Sequence, residues 1–342
     1  MKVLIIESCE KKNIDKTSSI VHVRNSLLIK EKLNFDLISH ESEIENVISN
    51  KYDVIICAYS SPYMRYKQYI DVLMANPQAK IIWLVNDHDV EDNILLRNWV
   101  KATNNKFNMI CNNPREGYRH WILNKNINEK KLNDWIDEWH TINLNCLIFE
   151  QSKFDETKNF YDKEGIVYYG THRKHRINDM VRYNGAGYAL SSSKKNHEKF
   201  KKSGIEAQFI EKMIWEEKHT DMFEPVGLRL KDYLISLYFE DDHTHKNYAF
   251  MANRFYESLM CNTLIIYDET CMETINKSGF NIHPMQIVKN AKDLINISEQ
   301  LSSDKNMYQM FLEIQQSNVN KVLKEQEMAY SQIANVCENG HK

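Results

Sequence analysis

Glycine is scarce in this chain: nine residues in 342, and none before Gly117. Dinucleotide folds of the G-x-G-x-x-G kind and P-loops both need glycines directly after an early strand, so both are excluded. A protein that holds phosphates without such loops must do it mostly with side chains. Cysteine is also uninformative as a motif. The seven (Cys9, Cys57, Cys111, Cys146, Cys261, Cys271 and Cys337) include no C-x-x-C and are odd in number. Cys57 in VIICAY and Cys146 in NCLIF sit inside apolar runs, as small core residues of a reducing cytosol do. No pair has zinc-ligand spacing. No run approaches the ~18 apolar residues of a membrane span. The first apolar run, VLII, is four residues long with no small-residue cleavage site after it. It reads as a first strand and not a signal peptide, and the expected location is the cytoplasm without membrane attachment.

What is present reads as soluble and globular: 42% hydrophobic residues, 27% charged, formal net charge -3. The length suits two domains, each with its own core. Expected strands in the first half are 3–6, 35–39, 52–59, 80–87 and 107–113, separated by helical patterns at 22–33, 41–50 and 64–75. In the second half they are 146–150, 165–170, 187–191, 233–241 and 262–269, with the best helix at 247–261 and near-continuous helix after about residue 285. Continuous apolar strands alternating with amphipathic helices predict parallel sheets covered on both faces. The expected fold is α/β: two doubly wound, Rossmann-like domains facing a cleft, with a helical tail. The expected boundaries are 1–155, 156–305 and 306–342, the tail returning to the first domain. Ligands in such folds bind beyond the carboxyl ends of strands.

Three stretches put polar residues at such ends. In WLVNDHDV, Asp87 follows a buried run directly, where a carboxylate can serve as a general base. A helix N-cap explains it equally well. In IVYYGTHRKHRINDM, a strand ends at Gly170 and runs into Thr171, Arg173, Lys174 and Arg176. With a helix starting near Thr171, Arg173 and Arg176 share a face at i, i+3, and cations at a helix N-terminus call for an anion, such as a diphosphate. A solvated basic helix start is the plainer alternative. In NYAFMANRFYESLMCNTLIIYDE, Arg254 and Glu257 are also i, i+3. They form either a helix-surface ion pair or a phosphate ligand beside a ribose ligand.

Together these stretches resemble the DNA β-glucosyltransferases of T-even bacteriophages, GT-B enzymes that move glucose from UDP-glucose to hydroxymethylcytosine in phage DNA. VYYGTHRKHRINDM is similar to the strand–Gly–Ser–x–Arg…Arg segment that grips the diphosphate. That resemblance implies Gly170, Thr171, Arg173 and Arg176 as donor ligands. NRFYESLMCNTLIIYDE is similar to the nucleotide-holding Arg–x–x–Glu helix, implying Arg254 and Glu257. IIWLVNDHD looks like the strand whose terminal Asp is the catalytic base, implying Asp87. YFEDDHTHKNY falls where the family carries an Asp near the donor sugar, so Asp241 or Asp242 is implied. The family's glycine-containing first loop is absent after VLIIESCEKKN. The resemblance further implies a UDP-sugar donor, no required cofactor, a divalent cation at most as a stimulant, capture of a flipped base in double-stranded DNA, and a monomer. Donor sugar and α or β linkage stay open.

Charge gives the acceptor reading its own support. Residues 171–202 hold nine Lys/Arg against two acids, whereas 205–242 hold ten acids against four bases. Lys194, Lys195, Lys201 and Lys202 lie in the basic block. In the first half Arg65, Lys67, Arg115, Arg119 and Lys125 interleave with Tyr63, Tyr66, Tyr118 and Trp121. Cations with aromatics suit a phosphate backbone and an extruded base. Ordinary solvated helix surface is the rival account of each lysine taken singly. A GT-B transferase for a cell-envelope acceptor shares the donor features without the basic face. A non-catalytic nucleotide- or DNA-binding protein is the alternative of another class.

Overall fold

The computed structural model describes residues 1–7, 20–38, 44–58, 68–85, 102–112, 136–150, 159–211, 228–240 and 250–339. The chain forms two compact units, Met1–Leu147 with Glu325–Lys342, and Ile148–Lys324.

The first unit is built on a six-stranded, all-parallel sheet. Its strands are β1 (Val3–Glu7), β2 (Asp36–Ile38), β3 (Val54–Ala58), β4 (Lys80–Val85), β5 (Phe107–Cys111) and β6 (Ile136–Thr141). They lie in the order β2-β1-β3-β4-β5-β6. Every residue of β1, β3 and β5 is buried, which is why these strands read as largely apolar runs, with Glu7 and Asn108 as buried polar exceptions. Helices α1 (Ile20–Leu33), α2 (Ile44–Ile48) and α3 (Gln68–Ala75) connect them. Trp83 on β4 is fully buried and meets Phe107 of β5 edge-on, ring centroids 5.8 Å apart.

The second unit repeats the theme. Its strands are β7 (Glu164–Tyr169), β8 (Ala189–Ser192), β9 (Gln208–Glu211), β10 (Tyr233–Tyr238), β11 (Leu264–Asp268) and β12 (Ile287–Val288). They are parallel in the order β12-β11-β10-β7-β8-β9. The chain winds outward from β7 to β9, then returns to place β10 on the other side of β7. The winding therefore reverses between β7 and β10, where doubly wound sheets bind ligands. The helices are α4 (Ile177–Val181), α5 (Lys194–Lys202), α6 (Asn253–Met260), α7 (Met272–Ser278), α8 (Ala291–Ser303), α9 (Lys305–Gln316) and α10 (Val319–Glu338).

The helical tail is split between the units. Tyr308, Phe311 and Leu312 of α9 join the second core. Gln315 pairs with the backbone on either side of Leu264, accepting from Ile265 N–H and donating to the Thr263 carbonyl, both at 2.9 Å. From Glu325 onward α10 belongs to the first unit. There Glu325 accepts from Asn143 at 3.1 Å, Lys32 pairs with Glu327 at 2.8 Å and Lys80 donates to the Val336 carbonyl at 2.5 Å. The expected single tail at 306–342 thus divides inside a helix, because α9 carries its apolar stripe to the second sheet.

Four local expectations change. The apolar run 146–150 is no strand. Asn145–Ile148 is a 3₁₀ turn whose buried side chains made it look like one. Strands β6, β9 and β12 gave no apolar run, and each lies at the edge of its sheet. The best helix begins at Asn253. Finally, no helix starts near Thr171: Lys174–Arg176 is a 3₁₀ turn and α4 begins at Ile177. No described helix is long and apolar enough to cross a membrane.

Candidate functional site

The second unit gathers its charged groups at the carboxyl ends of β7 and β10. Strand β7 has Ile166, Val167 and Tyr168 buried in the sheet, then ends at Tyr169 and Gly170. Gly170 has φ +155°, a conformation side-chain-bearing residues rarely adopt. A Cβ there would lie 3.0 Å from Arg254 Nη2 and 3.1 Å from the Tyr168 hydroxyl. Gly170→Ala is therefore expected to cost about 1–3 kcal/mol of stability, the scale of one strained backbone position. It should also displace Arg254. Denaturation of the variant, with its crystal structure alongside, measures both effects.

Helix α6 supplies Arg254 and Glu257, one turn apart, and it is buried from Arg254 to Met260. Arg254 is used almost completely by the protein. Its Nη1 donates to the Phe239 carbonyl at 2.8 Å and to Glu240 Oε1 at 2.5 Å, while Nε and Nη2 donate to the Tyr169 carbonyl at 3.2 and 3.0 Å. One guanidinium thus ties the end of β7 to the end of β10. It also lies over the rings of Tyr168 and Tyr169, 5.0 and 5.1 Å from their centroids. Burial disfavours its charge, but the Glu240 carboxylate and the neighbouring tyrosines outweigh this and raise its pKa.

Arg176 reaches the same carboxylate from the other side. Its Nη1 donates to the Tyr168 hydroxyl at 2.6 Å and its Nη2 to Glu240 Oε2 at 3.3 Å. Arg176, Arg254 and Glu240 are all buried, at 6%, 9% and 7% exposure. Each oxygen of Glu240 therefore serves a different arginine. Glu257 accepts a 2.5 Å hydrogen bond from the Tyr169 hydroxyl. Burial, then the nearby Glu257 charge, pushes the Tyr169 pKa well up and keeps that phenol a donor. The carbonyl of Gly170 is in turn fixed by the Ser192 hydroxyl at 2.6 Å.

Of the expected donor-site residues, Gly170, Arg176, Arg254 and Glu257 come together here. Thr171 and Arg173 are exposed beside them. Arg173 has extended backbone ahead of the 3₁₀ turn, so Arg173 and Arg176 do not share a helical face as expected. The reason is that Arg176 turns inward to Tyr168 and Glu240. The Arg254–Glu257 surface ion pair, the plainer account, is not what is seen either: both are buried and each faces another partner. Sequence reading missed Glu240, Tyr168 and Tyr169. The rule applied to Asp87, a carboxylate just past a buried strand, picks out Glu240 as well.

Asp87, Asp241, Asp242, Arg65, Lys67, Arg115 and Arg119 lie outside the described residues. Lys194, Lys195, Lys201 and Lys202 are all exposed on α5, which Ser193 caps and Phe200 anchors in the core. Within α5, Lys201 is near only one acid, Glu198 at 4.0 Å, a separation of little energetic weight at the surface. Among the described residues, no three His, Cys, Asp or Glu side chains gather as a cation site.

No family model matches the chain, and no curated protein resembles it in sequence. Solved structures do match over nearly its full length. T4 phage β-glucosyltransferase bound to UDP-glucose superposes with a TM-score of 0.69 at 14% identity, covering 99% of this chain and 100% of that one. The same T4 enzyme with UDP and Mn2+ gives 0.66 at 14% identity, with the same coverage. An α-glucosyltransferase bound to UDP-glucose and to DNA containing an abasic site gives 0.65 at 10% identity, covering 99% of each chain. Anabaena Alr3699/HepE with UDP-glucose gives 0.53 at 9% identity, covering 98% of this chain and 100% of that one. At such identities the likeness establishes the fold: two doubly wound parallel sheets with a helical C-terminal segment, the GT-B fold.

Proposed function

We propose that this protein is a glycosyltransferase that moves a sugar, glucose in the first instance, from a UDP-sugar to the hydroxymethyl group of a modified pyrimidine in double-stranded DNA. The observation that carries the reading is the convergence of Gly170, Arg176, Arg254 and Glu257 where the second sheet reverses its winding. The UDP-glucose and DNA complexes among the structures of like fold support it.

In this reading exposed Arg173 meets the diphosphate together with Arg176, while Arg254 contributes positive charge from behind. Glu257 accepts from the ribose hydroxyls, with Tyr169 fixing its orientation. Asp241 or Asp242 lies near the sugar. Asp87 takes the proton from the hydroxymethyl oxygen as that oxygen attacks the anomeric carbon in line, and the diphosphate leaves. Its departing charge is stabilised by guanidinium groups already in place. No step is routed through a metal, and a divalent cation has the role of a stimulant. The acceptor base is extruded from the duplex, which costs a few kcal/mol and is repaid by stacking and backbone contacts. The protein acts as a monomer in the cytoplasm of a phage-infected cell.

The test is incubation with labelled UDP-glucose and duplex DNA containing or lacking hydroxymethylcytosine, followed by mass spectrometry of the nucleosides. Label should enter only the modified DNA. The acceptor assignment has a separate check in α5. Reversing Lys194, Lys195, Lys201 and Lys202 to Glu should raise the KM for DNA and flatten its salt dependence. The log–log slope should fall by about one for each phosphate that is no longer neutralised. UDP affinity should hold. Transfer to a free nucleoside or an envelope sugar, unaffected by the reversed lysines, would move the assignment to a non-DNA acceptor. UDP or DNA binding with no transfer to any acceptor would leave a binding protein.

A further inference from the structure

We infer that Glu240 is a resident counter-anion of the donor site, occupying the place of the incoming diphosphate and repelling the negative charge that a ligand brings. The inference rests on the nucleotide-sugar reading and adds to it a residue that opposes binding in proportion to the negative charge of the ligand.

The geometry supports this at three points. Glu240 follows β10 at the winding reversal, so its carboxylate stands where the fold receives ligands. Its two oxygens divide between two buried guanidinium groups, Arg254 at 2.5 Å and Arg176 at 3.3 Å. The two grips are unequal. Arg254 is also held by the Tyr169 and Phe239 carbonyls and cannot leave. Arg176 holds the Tyr168 hydroxyl at 2.6 Å through Nη1 and has the longer contact to Glu240 through Nη2, so its Nη2 is the group that can turn from Glu240 to a phosphate oxygen. Arg176 and Arg254 face two buried carboxylates, Glu240 and, one turn along α6, Glu257, so these buried charges balance and an added anion meets strong like-charge repulsion. A monophosphate brings about -1.5 to -2 at neutral pH, already more than the single charge of the carboxylate, and a diphosphate brings more again. A diphosphate can also hold Arg173 and Arg176 together.

The experiment is titration calorimetry of the full chain with UDP, UMP, uridine and inorganic pyrophosphate. Wild type is compared with Glu240→Gln, which is nearly isosteric and uncharged, and with Glu240→Asp, which keeps the charge but shortens the reach to Arg176. With the counter-anion removed, Glu240→Gln should bind UDP and pyrophosphate about tenfold more tightly or better, the scale of relieving one close like-charge contact. UDP, with the larger charge, should gain more than UMP, so that UDP:UMP discrimination widens, and uridine should be unchanged. Glu240→Asp should tighten pyrophosphate several-fold, which keeps the test decisive if the glutamine variant does not fold. Weaker UDP binding in either variant with uridine intact would overturn the proposal, because Glu240 would then be positioning the arginines for the ligand. Unchanged UDP:UMP discrimination would overturn it too. A wild-type protein that binds neither UDP nor pyrophosphate would overturn the nucleotide reading itself, and this inference with it.

Discussion

Asp87→Asn is expected to slow sugar transfer by about 10²–10⁴-fold, the usual contribution of a general base, while UDP affinity stays near wild type. The substitution keeps the shape and one acceptor oxygen and removes only basicity. Strand β4 ends at Val85, between β3 and β5 and well inside the first sheet. Asp87 therefore follows a buried strand by two residues in the sequence. Single-turnover rates on hydroxymethylated DNA, read beside thermal stability, separate the possible roles. A base loses rate and keeps stability. A helix cap loses about 1 kcal/mol of stability on substitution to alanine, and much less to asparagine, which caps as well. Wild-type turnover in Asp87→Asn would remove Asp87 from the mechanism.

Arg254→Ala is expected to cost the second unit about 3–5 kcal/mol, the range for breaking a buried ion pair by deleting one partner. The truncation leaves Glu240 with Arg176 alone, at the longer of its two hydrogen bonds, and takes the guanidinium donors away from the Tyr169 and Phe239 carbonyls. Arg254→Lys should recover only part of this, because an ammonium has no planar fork to reach both strand ends and the carboxylate together. Urea denaturation of the three proteins measures the effect. Stability equal to wild type in the alanine variant would mean that the strand ends are held by other interactions. The same physics complicates UDP binding. Weaker UDP binding in an Arg254 variant mixes missing charge with a loosened sheet, so exposed Arg173 is the cleaner probe of the diphosphate. Arg173→Ala should weaken UDP without affecting uridine.

The interior of the fold was legible and its margins were not. Strands β1, β3, β5 and β10 are buried along their whole length and appear in the sequence as mostly apolar runs. Strand β6 has one buried residue followed by exposed or partly solvated positions, and β9 has none that is buried. One-sided pairing and contact with water remove the signal on which strand reading depends. The run 146–150 failed the opposite way. Cys146, Leu147 and Ile148 are apolar because a turn is buried, with its Cys146 and Leu147 carbonyls satisfied by Gln326. At the site, the motif identified which arginines matter but not their surroundings. Spacing along the chain suggested that Arg173 and Arg176 act as a pair. The partner of Arg176 is instead Glu240, 64 residues away, and a link of that length has no local signature.

The last helix has a consequence for how the molecule is made. Its residues from Glu325 onward belong to the first unit, and they bury Ala329, Ile333, Val336 and Cys337. During synthesis the ribosome delivers all of Ile148–Lys324 before this segment appears. The unit that is begun first is therefore the one finished last, and until then Lys32, Lys80, Asn143 and the Cys146 and Leu147 carbonyls lack their partners on this helix. The same order means that a fragment ending near residue 147 is an incomplete unit and not a separable half.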